Sequence, residues 1–236
     1  MKIIHFDSIS STNIYLKEHT DLDNLTLVYA NHQTQGRGRL GRTWLDQDDL
    51  LFSILIKDNI SKPLDYTFLI AITISNVLEK MNLSPLIKWP NDIIVNDKKI
   101  CGILLEGVGS NNIDAIIIGT GLNINSTNYS DDLVFKATSL KLELNKDINK
   151  EEVLNLIINE FERIYKLYCD NKIDITEEVL KRFYLMNKNV HFYYKNEICS
   201  GIAKGMDNDG NIIIEANNNL YHISSGEITL NETYKA

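Results

Sequence analysis

The chain has 236 residues, with 24 Lys and Arg against 32 Asp and Glu, for a formal net charge of −8 at pH 7. That length suits one large domain, or one plus a small appendage, and 44% hydrophobic residues are ample for a sizeable core. Such acidity argues against a general nucleic-acid or membrane-surface binder, because both need a basic face. The few arginines are nonetheless clustered: Arg37, Arg39 and Arg42 fall within six positions, and only Arg163 and Arg182 lie elsewhere.

The first residues, Met1-Lys2-Ile3-Ile4-His5-Phe6-Asp7, form no long apolar run and carry no small-residue cleavage site, so no signal peptide is expected. The sequence Ser8-Ile9-Ser10-Ser11-Thr12-Asn13 then leads into an apolar-periodic stretch at 14–18, a helix-start pattern. Residues 25–30 and 50–57 are rich in β-formers and bracket the arginines, which places that cluster on a strand-to-strand loop. Helical spacing of Phe68, Ala71, Ile72, Val77, Leu78 and Met81 predicts a core helix over 66–81. Strands are expected at 93–95, 100–105 and 113–118, and helices at 151–168 and 176–186. The most apolar runs, 50–56 and 113–118, are strand-length and far too short to span a membrane.

From about Lys188 the texture changes. Short strands at 190–194, 198–204, 212–215, 220–223 and 227–230 alternate with turn residues such as Asp207-Asn208-Asp209-Gly210 and Ser225-Gly226. This pattern predicts a small β-barrel, 188–236, appended to a mixed α/β domain, 1–187. Three widely spaced cysteines, Cys101, Cys169 and Cys199, make no CxxC pair, and the five histidines are scattered. Neither a disulfide framework nor a metal cage of protein ligands is expected; reduced thiols in the cytoplasm are the simpler reading.

Four motifs could carry chemistry. In Gly36-Arg37-Gly38-Arg39-Leu40-Gly41-Arg42, glycines admit close approach of backbone N–H groups and guanidiniums offer planar forks for carboxylate or phosphate. The spacing suits an anion-binding loop, but also a solvated turn or an RGG-like RNA segment; it is neither a P-loop nor a GxGxxG turn. Lys88-Trp89-Pro90-Asn91-Asp92 forces a turn after the apolar pair Leu86-Ile87, fixing Lys88 where it could offset developing negative charge or simply sit at the surface. Gly119-Thr120-Gly121-Leu122-Asn123 follows the expected strand at 113–118, where paired glycines bring backbone against a ligand or make a bulge. Ser11-Thr12-Asn13 forms a hydrogen-bonding corner or a plain helix cap. Both tryptophans, Trp44 and Trp89, neighbour these motifs as pocket wall or core.

In this order the motifs resemble the biotin protein ligase family. The resemblance rests on Ser11-Thr12-Asn13, Gln33, the GRGRLGR run at 36–42, Lys88-Trp89-Pro90-Asn91-Asp92, Lys99-x-x-Gly102-Ile103-Leu104-x-Glu106, Gly119-x-Gly121-Leu122-Asn123 and Ala137-Thr138-Ser139-Leu140. The stretches Gly201-Ile202-Ala203-Lys204-Gly205-Met206-Asp207 and Ser225-Gly226-Glu227-Ile228 resemble the family's C-terminal SH3-like domain. The resemblance thus spans nearly the whole chain.

It implies an α+β catalytic domain related to class II aminoacyl-tRNA synthetases, followed by the small barrel. With Ser11 so near the start, no N-terminal winged helix is expected, hence a monofunctional ligase without DNA binding. The implied reaction converts biotin and Mg·ATP to biotinyl-5′-adenylate, then transfers biotin to a lysine of a biotin carboxyl carrier domain. By position, Ser11, Thr12 and Gln33 would hold the ureido ring, with Asn13 also among the biotin-binding residues, Gly119 and Gly121 giving close backbone approach and Trp44 lining the pocket. Arg37, Gly38 and Arg39 would close over the adenylate, with Gly36 and Arg42 in the nucleotide-binding loop. Lys88 would bridge carboxylate and α-phosphate, Asn91 and Asp92 would shape its surroundings, and Asn123 would lie near adenine or phosphates. A homodimer through the catalytic domain is compatible with the resemblance, and no residue is assigned to adenine stacking, though Phe135 lies close to the relevant position. The alternatives are a lipoate or octanoate ligase of the same superfamily and a non-catalytic anion- or RNA-binding module. Gln33 and Ser11 suit a ureido ring better than a dithiolane.

Overall fold

The computed structural model describes residues 1–44, 47–58, 60–109, 112–130, 133–194, 197–226 and 228–230. Chain order is β1 (Lys2–Ile9), α1 (Thr12–Glu18), β2 (Thr26–Gln33), a 3-10 turn (Arg39–Gly41), β3 (Leu50–Ile56), α2 (Pro63–Lys80) and β4 (Leu86–Lys88). It continues with β5 (Asp92–Val95), β6 (Lys98–Val108), β7 (Ala115–Leu122), α3 (Leu140–Leu144), α4 (Lys150–Cys169) and α5 (Ile175–Leu180). Five strands follow: β8 (Asn189–Tyr194), β9 (Glu197–Met206), β10 (Ile212–Ala216), β11 (Asn219–Ile223) and β12 (Thr229–Leu230). The expected α+β class with a small C-terminal β unit is what the chain adopts. Glu227, the first residue of the expected strand at 227–230, lies outside the described residues.

The large sheet has the order β1-β2-β3-β7-β6-β5-β4, parallel at β1/β2 and antiparallel elsewhere. Strand alternation sends Ile54, Ile56, Ile116 and Ile118 to one face, into the main core with α2 and α4. Leu55 and Ile117 point the other way, joining Leu16 of α1, Val28 and Ala115. Both faces of the central strands are therefore covered, which is why all of β3 and β7 is buried. Helix α1 has only seven residues, so it covers part of its face and leaves the ends of β6 and β7 to other groups.

Two expectations need correction. The helix expected over 176–186 stops at Leu180, because the edge strand β4 offers unpaired backbone groups. Ile87 N–H donates to Arg182 at 2.7 Å and Tyr184 N–H to Ile87 at 2.9 Å, closing that edge. The glycines 119 and 121, expected beyond a strand at 113–118, lie inside β7, paired with Ser53 and Leu51 of β3. The strand β1 and the short helix α3 carried too weak a pattern to be anticipated; β1 is an edge strand and largely exposed.

The second sheet, β11-β10-β9-β8-β12, buries Val190, Phe192, Ala203, Ile212 and Ile214 in continuity with the main core. Its β9–β10 turn presses on α2, where a methyl group on Gly210 would lie 3.1 Å from Phe68.

Candidate active site

Ser11 occupies the N-cap position of α1, but its side chain makes no capping hydrogen bond. Ser11, Thr12 and Asn13 are all buried, at 2%, 3% and 5% exposure, so their polar atoms need partners. Gln33 Oε1 accepts from Thr12 N–H at 2.7 Å and lies 3.1 Å from Thr12 Oγ1. Thr12 Oγ1 meets Ser53 Oγ at 2.6 Å, Ser53 donates to Asn13 Oδ1 at 2.5 Å, and Asn13 Nδ2 donates to Glu106 Oε2 at 2.8 Å. A Cβ on Gly119 would collide with the Asn13 carboxamide, so the bare backbone there seats that amide. Thr12, Asn13 and Gln33 thus join Ser53 and Glu106 in one connected chain of hydrogen bonds across α1, β2, β3 and β6.

The arginine loop folds back on itself. Gly38 N–H donates to Arg42 at 2.7 Å and Trp44 N–H to Gly36 at 3.1 Å. This pins the Trp44 ring against the sheet where Gly102 and Gly121 pair directly; a Cβ on Gly121 would strike the ring, and one on Gly102 would lie 2.7 Å from it. Two glycines in register clear a flat floor for an indole. Among the described residues the buried Trp44 Nε1 has no hydrogen-bond partner.

The same loop reaches both flanking elements. Arg39 Nη1 donates to Asn91 Oδ1 at 2.9 Å, its Nη2 to the Gly226 carbonyl at 3.2 Å, and Asn91 Nδ2 to the Ile103 carbonyl at 2.7 Å. Arg37 Nη1 stands 3.7 Å from Glu106 Oε1. Arg42 is exposed. Lys88 lies opposite Asp92 in the β4–β5 hairpin, half-buried. Asn123 Nδ2 donates to the Thr138 carbonyl at 2.8 Å, which fastens the 137–140 segment beside β6.

Geometry adds residues without an assigned role. Lys99 Nζ lies 5.5 Å from the Trp44 ring centroid and 2.7 Å from Asp92 Oδ1, putting a cation and its counter-ion on the glycine floor. Lys99 and Glu106 stand in the motif quoted above, but only strand register reveals which way they point. Ser53, a lone hydroxyl in the apolar run Leu50–Ile56, had a readable signal, since a buried hydroxyl demands a partner. Burial pushes the Cys101 thiol far above its ordinary range, with Lys99 acting weakly the other way, so the neutral thiol is no nucleophile. Burial also pushes the Tyr129 hydroxyl up to about 12. Among the described residues no group of three His, Cys, Asp or Glu side chains could hold a metal ion.

Residues 5–123 match the model of the biotin/lipoate A/B protein ligase family, and residues 185–230 match the biotin protein ligase C-terminal domain. The chain belongs to the biotin protein ligase family. It is 30% identical over 239 residues to the bifunctional ligase/repressor BirA of Bacillus subtilis, covering 97% of this chain and 74% of that protein. The biotin–[acetyl-CoA-carboxylase] ligase of Paracoccus denitrificans is 30% identical over 159 residues, 63% of this chain and 66% of that one. In structure it resembles the biotin protein ligase from Aquifex aeolicus in complex with biotin and ATP. There the TM-score is 0.86 at 27% identity, over 97% of this chain and 98% of that one. The Paracoccus and Aquifex proteins are named for biotin, which favours the biotin reading over a lipoate or octanoate ligase. The two family matches span the large sheet with its arginine loop and the C-terminal five-stranded sheet.

Proposed function

We propose that this chain activates biotin with Mg·ATP as biotinyl-5′-adenylate and transfers the biotinyl group to a lysine of a biotin carboxyl carrier domain. The observation that carries the reading is the convergence on one sheet face of a neutral hydrogen-bonding corner, an aromatic wall and a cationic loop. A ureido bicycle needs the first two; a carboxylate meeting a triphosphate needs the third. The likeness to a ligase that binds biotin and ATP supports it.

In the first step a biotin carboxylate oxygen attacks the α-phosphorus, a P–O bond forms and pyrophosphate leaves. In the second, the acceptor amine attacks the acyl carbon, the mixed anhydride C–O bond breaks and AMP leaves. Ser11, Thr12, Asn13 and Gln33 hold or support the ureido ring, and Trp44 packs on the bicycle and valeryl chain. Gly36, Gly38 and the guanidiniums of Arg37, Arg39 and Arg42 close over the phosphates, excluding water from the reactive adenylate. Lys88 and Lys99 supply positive charge to the carboxylate and α-phosphate, and preorganised charge of this kind contributes several kcal/mol to barrier lowering. Asn91 positions Arg39, while Asn123 braces the 137–140 segment beside the nucleotide. Magnesium enters as part of Mg·ATP.

The same reading divides the chain into a catalytic unit, 1–187, and a barrel, 188–236, with catalysis in the cytoplasm and a homodimer formed through the catalytic unit. Sedimentation velocity measures the last. No helix among the described residues is long and apolar enough to cross a membrane. The decisive assay is ATP–pyrophosphate exchange with biotin, lipoate, octanoate or no acid. Biotin-dependent exchange is the expected result. Exchange with lipoate or octanoate alone overturns the substrate, and none with any acid overturns the activity.

A further inference from the structure

The hydrogen-bond chain from Glu106 to Gln33 has a direction, and that direction is set at Glu106. As a carboxylate, Glu106 only accepts. Its Oε2 therefore takes a proton from Asn13 Nδ2 at 2.8 Å, which forces Asn13 to present Oδ1 at its other end. Ser53 must then spend its single proton on Asn13 Oδ1, at 2.5 Å. The Thr12 proton then has two acceptors within reach, Ser53 Oγ at 2.6 Å and Gln33 Oε1 at 3.1 Å, and the shorter contact takes it because Ser53 has no second proton to give. Gln33 Oε1 is meanwhile held by Thr12 N–H at 2.7 Å, which makes Nε2 the donor end of that amide.

From this geometry we infer that Glu106 is a positioning residue that sets the polarity of the biotin corner, acting through Asn13 and Ser53. With the chain so directed, Thr12 Oγ1 offers lone pairs and Gln33 Nε2 offers protons. That is the complement of a ureido group, which has N–H donors flanking a carbonyl acceptor. Without the carboxylate the Asn13 amide is free to turn, Ser53 and Thr12 can reverse, and the corner no longer rejects a ligand of the wrong polarity. Buried polar networks discriminate because a reversed partner leaves a buried group unsatisfied. Arg37 Nη1 and Lys17 Nζ, 3.7 and 3.9 Å from Oε1, face the other carboxylate oxygen, so the charged loop and the neutral corner meet at one side chain.

The inference rests on the biotin reading above, and the experiment separates the two. Pyrophosphate exchange is measured with biotin and with biotin methylated on a ureido nitrogen, for wild type, Glu106→Leu, Glu106→Gln and Ser53→Ala. Wild type is expected to prefer biotin strongly. Glu106→Leu raises the biotin KM about tenfold, changes kcat much less, and narrows the preference over the methylated analogue. Glu106→Gln, whose Oε1 still accepts from Asn13, restores both to within about threefold. Ser53→Ala cuts the chain one link further on, away from Arg37, and reproduces the loss even if Glu106→Leu folds poorly. Unchanged KM and unchanged preference in Ser53→Ala overturn the inference, as does Glu106→Gln matching Glu106→Leu, which would assign the effect to charge on the loop. A wild type without biotin-dependent exchange overturns the function itself, and the inference with it.

Discussion

The indole N–H of Trp89 donates to the carbonyl of Gly210 at 2.9 Å, across 121 positions of sequence. The tryptophan of the lysine-bearing turn is thereby bolted to the β9–β10 hairpin, whose own turn is held by Asp207 accepting from the backbone of Asp209 and Asn211. Trp89 is 2% exposed, so its partner carbonyl is shielded from water as well. Trp89→Phe leaves that carbonyl unsatisfied and the space underfilled, lowering stability by about 2 kcal/mol. Thermal denaturation should show a midpoint about 5 °C lower, with faster amide exchange at 207–211.

Arg39 joins the arginine loop to Asn91 and to the Gly226 carbonyl beside the second sheet. Arg39→Gly removes both ties and a cation, so the loop closes less firmly on the intermediate. Release of biotinyl-5′-adenylate in a filter or fluorescence assay should accelerate by at least about tenfold. An unchanged release rate would count against the closing role.

Two lysines are proposed to offset the charge of the reacting carboxylate and phosphate. Loss of a preorganised positive group of this kind lowers the rate by about 10²–10³. Lys88→Ala and Lys99→Ala should each reduce biotin-dependent exchange on that scale while far-UV circular dichroism stays native. Near-normal exchange in either variant removes that lysine from the mechanism.

Glu160 is a carboxylate at 5% exposure that ties α4 to α2. Burial alone would raise its pKa, but hydrogen bonds from Arg163, Lys80 and Asn76 outweigh it and hold the group at about 2, against an ordinary 4.5. A carboxyl held low in the folded state contributes stability that is complete above pH 4.5 and lost as pH falls toward 2. The shift corresponds to about 3 kcal/mol. Urea unfolding of Glu160→Gln should show lower stability at pH 7 and a shallower acid dependence between pH 4.5 and 2; parallel curves would contradict the assignment.

Much of this was legible in the residues. Apolar residues at Phe68, Ala71, Ile72, Val77 and Leu78 marked the region of α2, a helix buried on nearly every side. The starts of β3 and α4 were close for the same reason. The ends were less readable. The helix expected to reach 186 ends at Leu180 because the next residues pair with Ile87, a tertiary choice that no local propensity reports.

By itself the sequence determined which chemical groups this ligase has and in what order: the hydroxyl corner, the arginine loop, the lysine turn and the glycines. Those follow from residue types and short spacings. Only the tertiary structure decided who faces whom: Glu106 with Asn13 across 93 positions, Arg39 with Asn91 across 52, and Arg39 with Gly226 across 187. The reason is strand register. A shift of one residue turns every side chain to the opposite face, so the direction of Lys99 or Glu106 depends on how β6 pairs with β7, and that pairing is settled by the whole core.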